Sequence, residues 1–230
     1  MSVVYGLATV CALVLSCSYW SRKAASDSNL LIIYVAALGG AMIGAVIGYV
    51  FAEGVFIWRA TGSLVGLLGG KTILGGLIGG YLAVEGAKWA TSYRRVTGDL
   101  FATVVPISIA IGRTGCLYAG CCLGAVCELR WYALIDAHGI SRWPAIPLEI
   151  VLNLVAAAAF FVLRRHEILI GQHFHLYMIG YGAFRFMNEF IRESLPLWHG
   201  LSGYHLQSLM LLALGTHGFV RRRRIRTECL

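Results

Sequence analysis

Charge is scarce in this chain. Only 13% of its 230 residues are Asp, Glu, Lys or Arg, whereas a soluble domain carries about 25%. Acidic residues are fewest, 11 against 19 basic ones, and proline appears four times. These shortages exclude a soluble globular enzyme, a nucleic-acid reader and a disordered tail, all of which need polar or charged surface. Apolar residues fill the space instead: 58% are hydrophobic, and the mean hydropathy is +0.73. The 28 glycines suit close-packed membrane helices, where small residues let backbones approach. The chain therefore reads as an all-α polytopic membrane protein. Its formal charge of +8 then reflects orientation in the bilayer and not a nucleic-acid partner.

Two further absences matter. No basic stretch precedes the first apolar segment, and Arg22 and Lys23 follow it. That pattern suggests a retained first span with its N-terminus outside, not a cleaved signal peptide. No Cys-x2-Cys pair occurs, so no zinc signature is matched. Four of the seven cysteines, Cys116, Cys121, Cys122 and Cys127, lie instead at spacings of five, one and five. Three roles stay open for them: structural thiols or a disulfide, contact with substrate, and a metal or redox relay. No cofactor is expected.

A spanning helix needs about 20 mostly apolar residues. Segments near 2–20, 30–52, 73–90, 99–112, 146–163, 168–190 and 203–220 meet or approach that length, giving about seven transmembrane helices. The 99–112 segment is short and is expected to run into irregular backbone. The Gly-rich stretch 54–72 reads as a re-entrant or interfacial element. With the N-terminus outside, twelve of the 19 basic residues fall inside, and the run Arg221–Arg224 puts the C-terminus in the cytoplasm. Residues 1–220 then form one membrane-embedded domain and 221–230 a basic cytoplasmic tail. The other basic residues, Arg59, Lys71, Arg113, Arg130, Arg142, Arg185 and Arg192, oppose this bias. Ionisable residues within spans are functional candidates by default.

Tyr181, Arg185, Glu189 and Arg192 follow one another at intervals of four, four and three. On one helix they make a single polar stripe. With the helix entering from the inside near Ile168, Tyr181 lies about 20 Å up, in the outer third of the bilayer. The stripe is either a structural ion pair of Arg185 with Glu189 or an anion site, since a guanidinium grips phosphate oxygens bidentately. Gly112-Arg113-Thr114-Gly115-Cys116 follows the short fourth span, and its glycines suggest a backbone turn that presents Arg113 to a pocket. Tyr5, Lys71 and Glu149 fall at the same outer end. Taken singly they read as an interfacial anchor, a snorkelling cation and a helix-dipole partner. Taken together, these residues from five spans suit an anionic lipid headgroup at outer-leaflet depth. None of the seven histidines lies in the motifs, so no histidine general base is evident.

The motifs resemble those of the phosphatidylglycerol–prolipoprotein diacylglyceryl transferase family, in order and along nearly the whole chain. Tyr5-Gly6-Leu7 is similar to the family's first-span Y-G-L, and Gly75-Gly76-Leu77-Ile78-Gly79 to the end of H-G-G-L-I-G. Gly112-Arg113-x-Gly115 with Gly120 resembles G-R-x-G-N-F-x-N-G-E, and Pro144 to Glu149 resembles H-P-S-Q-L-Y-E. Tyr181-Gly182-x-x-Arg185-Phe186-x-x-Glu189-Phe190-x-Arg192 matches Y-G-x-x-R-F-x-x-E-F-x-R at every fixed position.

The resemblance implies a seven-span transferase of the plasma (inner) membrane, with its active site facing the outer leaflet. Its partners would be phosphatidylglycerol or another anionic phospholipid and the lipobox peptide of a prolipoprotein, with no nucleic acid. Diacylglyceryl would pass to the lipobox cysteine thiol, releasing glycerol phosphate. The resemblance further implies catalytic roles for Arg113, Arg185 and Tyr181, the two arginines holding phosphate. Tyr5, Lys71, Cys116, Cys121, Glu149, Glu189 and Arg192 would line or brace the substrate site. Four polar family positions differ: Leu74 stands for His, Cys116 for Asn, Cys121 for Glu and Ile146 for Gln. Either Lys71, Glu149, Cys116 and Cys121 supply what those positions supply, or the chemistry has diverged. Divergence would lead to phospholipid binding without transfer, or to thiol or metal handling by the Cys116–Cys127 cluster.

Overall fold

In the computed structural model, residues 27–198 and 200–228 are described, together with Val10, Val14 and Ser18. Tyr5 and most of the expected first span lie outside the described residues. Helix α1 spans Ser28–Tyr49 and starts where the Asp27 carboxylate accepts the Asn29 N–H at 3.1 Å, one of the orphan donors of a helix start. It runs through a π turn, Val50–Gly54, into α2, Val55–Thr61, which stops at Gly62 with φ 68°. A short α3 follows at Leu64–Leu68. The stretch 54–72 is thus two short helices and their turns. Thr72 caps α4, Ile73–Ala90, by accepting from Gly75 N at 3.0 Å. Then come α5 (Gly98–Tyr118), α6 (Ala145–Arg165), α7 (His173–Asn188) with a 3-10 turn at Glu189–Ile191, and α8 (Gly203–Glu228). Two antiparallel ribbons interrupt them, β1 (Leu134–Ile135) with β2 (Ser141–Arg142), and β3 (Pro196–Trp198) with β4 (Leu201–Ser202).

Among the described residues, three helical stretches are long and apolar enough to cross a membrane: Ser28–Thr61, Gly98–Tyr118 and Ala145–Arg165. Their outward residues are apolar as well. Val35 and Ile43 of α1 and Val155 and Phe161 of α6 are each about three-fifths exposed. Such continuous apolar surface belongs in hydrocarbon, not water.

The chain divides into two compact units. Of the described residues, one contains Val10, Val14, Ser18, Val96–Tyr177 and Met187–Ser194; the other contains 27–95, Met178–Phe186 and those from Leu195 onward. In the second, α1 packs on α4 through Gly40, Gly44 and Gly48 against Gly75 and Gly79. A Cβ on Gly44 would overlap the Gly75 carbonyl oxygen and meet the Gly79 Cα at 2.8 Å. Both obstacles are backbone, so neither can swing aside. Gly44→Val is therefore expected to cost about 1–3 kcal/mol or more by overpacking, seen as a lower unfolding temperature in detergent. Gln207 of α8 joins this seam, accepting from the Thr72 hydroxyl at 3.1 Å and donating to the Gly48 carbonyl at 2.9 Å.

In the first unit α5 packs on α6. Asp99, in the first turn of α5, accepts from Gly171 N at 2.6 Å and His173 N at 3.3 Å. These bonds hold the turn between α6 and α7, where Leu169 and Gly171 take left-handed φ values of 53° and 89°. For that reason α7 begins at His173, not near Ile168, and Tyr181 stands about 12 Å along it rather than about 20 Å.

Helix α5 also departs from expectation. It continues to Tyr118 instead of ending near residue 112, so Arg113 sits on a helix and not in a turn. Helical glycines cost roughly 1 kcal/mol each. Here the Thr114 hydroxyl donates to the Ala110 carbonyl at 2.9 Å, and Arg113 faces a buried partner, Glu149.

Candidate functional site

Arg113 and Glu149 face each other between α5 and α6. Arg113 Nε lies 3.0 Å from Glu149 Oε2, with the side chains 8% and 0% exposed. Asn153, one turn beyond Glu149, donates to the Glu149 carbonyl at 2.8 Å and accepts from the Tyr177 hydroxyl at 2.7 Å. The sequence marked Glu149 but not Asn153; the spacing of four on one helix was the available signal.

One turn past Arg113 comes Cys116, which is buried. The helix then closes abruptly. Ala119 N donates to Gly115 O at 3.0 Å, Gly120 takes φ 63°, and Cys121 N donates to Cys116 O at 3.2 Å. Cys122 is itself left-handed at φ 60°, an uncommon conformation for a residue with a side chain. This reversal folds Cys121 and Cys122 back on Cys116, so the three sulfurs lie within 4.8 Å of one another. All three are free thiols, Cys121 and Cys122 exposed. Cys127 is free too, but its Sγ lies 3.8 Å from Ser141 Oγ in the loop that follows.

The polar stripe expected from 181 to 192 does not stay on one helix. After Asn188 the backbone tightens into the 3-10 turn, and Arg192 is extended at φ −104°, ψ 153°. Arg192 forms an antiparallel bridge with Gly124, and Ala125 N donates to Ile191 O at 2.9 Å. Gly124 is required there, because a Cβ would overlap the Trp143 carbonyl oxygen. Arg142 secures the same loop with contacts of 2.7 Å to both Asp136 and Glu193. Glu189 is buried, and its Oε2 lies 3.7 Å from Arg192 Nε. Asn188, also buried, donates to the Ala145 carbonyl at 3.3 Å.

The first unit thus gathers Arg113, Glu149, Cys116, Cys121, Glu189 and Arg192 among the residues singled out from the sequence. Its charges act on the thiols. A hydrogen bond with the Cys116 thiol, joined by the Arg113 and Arg192 charges, outweighs the desolvation of the sulfur and pushes the Cys122 thiol down to about 4. Partial desolvation of its sulfur, close to the other two, pushes the Cys121 thiol up. Cys122 is therefore a thiolate at neutral pH. In reduced, chelator-treated protein its alkylation rate is expected to stay nearly constant from pH 8 to 6. An ordinary thiol with a pKa near 8.5 slows by about 100-fold over that interval. Mass spectrometry of the labelled peptide reads the difference.

The second unit holds Tyr181, Arg185 and Lys71. Tyr181 and Arg185 are 1% and 3% exposed. Lys71 is exposed, directly ahead of the α4 cap. Leu74, where the family motif has histidine, is 1% exposed in the first turn of α4. Beside Arg185, the Phe186 ring meets the His205 ring edge-on, with centroids 5.0 Å apart. His205 is buried and its Nδ1 accepts from Ser202 N at 3.0 Å, which places the proton of the neutral ring on Nε2. Spacing gave no hint of His205. The only signal was a lone polar residue opening an apolar run.

The family model for prolipoprotein diacylglyceryl transferase matches residues 2–221. The phosphatidylglycerol–prolipoprotein diacylglyceryl transferase of Vibrio vulnificus strain CMCP6 is 28% identical over 192 residues, covering 76% of this chain and 65% of its own length. The enzyme of that name from Streptococcus uberis is 29% identical over 231 residues, covering 94% of this chain and 87% of its own. That from Aliivibrio fischeri is 30% identical over 184 residues, covering 76% and 62%. The chain therefore spans less than two thirds of the length of the Vibrio and Aliivibrio relatives. With a match over nearly its whole length and the Tyr181–Arg192 motif intact, the chain belongs to the prolipoprotein diacylglyceryl transferase family.

Proposed function

We propose that the chain is a membrane transferase that moves a diacylglyceryl group from phosphatidylglycerol to the cysteine thiol of a prolipoprotein. The observation that carries this reading is the pair of buried arginines, Arg113 and Arg185, each within a motif shared with the family. The proposal includes about seven spans, an outside N-terminus, a cytoplasmic C-terminus and a site facing the outer leaflet of the inner membrane. It treats 1–220 as the transferase domain and 221–230 as a basic tail.

The reaction forms a carbon–sulfur bond and breaks the bond from the diacylglyceryl carbon to phosphate oxygen. The bonding electrons leave with glycerol phosphate. Negative charge thus grows on the leaving oxygen, and a guanidinium aimed at it in a dry site stabilises the transition state. Arg185 and Arg113 are each assigned to phosphate, Arg113 being held by Glu149. Tyr181 and Tyr5 line the lipid site, and Glu189 and Arg192 brace it. The acceptor must react as thiolate, which a basic surrounding favours. Glu149 is the candidate to take its proton, Lys71 is a candidate to hold the thiolate's charge, and Cys116 and Cys121 are substrate contacts.

A second reading rests on one observation. Leu74, buried and apolar, stands where the family motif has histidine. On that reading the chain binds anionic phospholipid without transferring it. Incubation with phosphatidylglycerol labelled in its acyl chains and a lipobox peptide separates the two. Transfer leaves the label on the peptide in a thioether that survives thioester-cleaving hydroxylamine; binding alone leaves the peptide unlabelled.

A further inference from the structure

We propose that Cys116, Cys121 and Cys122 form a three-thiolate site for a thiophilic d10 metal ion such as copper(I) or zinc(II). Their sulfurs already lie within 4.8 Å of one another. A metal–sulfur bond of about 2.3 Å puts three sulfurs around one ion about 4 Å apart, so closure needs a movement under about 1 Å. The backbone has done the costly part. Gly120 and Cys122 are both left-handed, and Cys121 N is bonded to Cys116 O, which holds the loop over the helix end.

Three converging sulfurs are one more than a disulfide uses. Thiolate sulfur is soft and prefers copper(I) and zinc(II) to calcium or magnesium. Cys116 is buried while Cys121 and Cys122 are exposed, so the site has a floor and an open entry. Three thiolates leave a bound monovalent or divalent ion with net negative charge. Arg113 and Arg192, which act electrostatically on Cys122, supply the balancing charge. Arg113 sits one turn from Cys116 on the same helix, so occupancy would also stiffen the end of α5. This inference does not rest on the lipid-transfer reading, and its test contains no lipid substrate.

The test uses the full chain in detergent, reduced and freed of metal. Copper(I) is titrated in competition with bathocuproine disulfonate, and zinc(II) in competition with a chromophoric chelator. At least one of the two is expected to bind at one equivalent, with X-ray absorption showing three sulfur neighbours at about 2.3 Å. Bound metal is expected to protect Cys116, Cys121 and Cys122 from alkylation and to leave Cys127 reactive. Cys121→Ser, which changes an exposed thiol, should weaken binding by more than about tenfold. The protection pattern needs no variant, so a variant that fails to fold does not block the test. Binding of neither ion, binding equal to that of the Cys116→Ser/Cys121→Ser/Cys122→Ser variant, or fewer than three sulfur neighbours would overturn the proposal.

Discussion

Replacing Arg185 by alanine is expected to lower diacylglyceryl transfer by about 100- to 1000-fold, equivalent to about 2.7–4 kcal/mol of transition-state stabilisation. The chain should still insert and fold. Arg185 is nearly fully buried on α7, so its side chain is not a membrane anchor. A guanidinium presents two parallel donors to phosphate oxygens, whereas an ammonium presents a point charge. Arg185→Lys should therefore keep the fold and recover only part of the rate. Transfer rates measured beside detergent-solubilised yield and helix content make the comparison. An Arg185→Ala protein that transfers normally would remove Arg185 from the mechanism.

The largest effect on stability is expected at Glu149. Removing one partner of a buried ion pair leaves an uncompensated charge and costs about 3–5 kcal/mol. Glu149→Ala is expected to do this to Arg113, because the pair is 3.0 Å apart and the carboxylate is fully buried. Glu128 offers the contrast. Its 2.9 Å pair with Arg130 is exposed on both sides, and such surface pairs contribute at most about 1 kcal/mol. Glu128→Ala should leave the unfolding temperature in detergent almost unchanged, whereas Glu149→Ala should lower it by many degrees.

Part of the candidate site's placement was legible because its signals were local. Tyr181, Arg185 and Glu189 stand out as polar residues at helical spacing in an apolar run, and each is buried. The end of that pattern was not legible. Arg192 leaves the helix because its backbone pairs with Gly124, a partner nearly seventy residues earlier in the chain. Local propensity carries no record of such a contact. Arg113 was misread for a related reason. Flanking glycines favour a turn, but α5 continues to Tyr118, and Arg113 pairs with Glu149 on another helix. The cysteine cluster was counted but not assembled, since spacings of five and one bring sulfurs together only through the left-handed turn at Gly120 and Cys122. A non-glycine residue in that conformation is not announced by its identity.

The most direct measurement of the transferase reading follows both halves of the donor at once. Purified chain is mixed with a lipobox peptide and phosphatidylglycerol carrying different labels in its diacylglyceryl and glycerol phosphate parts. One glycerol phosphate released for each diacylglyceryl thioether formed on the peptide is the predicted result. Phospholipid that binds while neither label moves would contradict it.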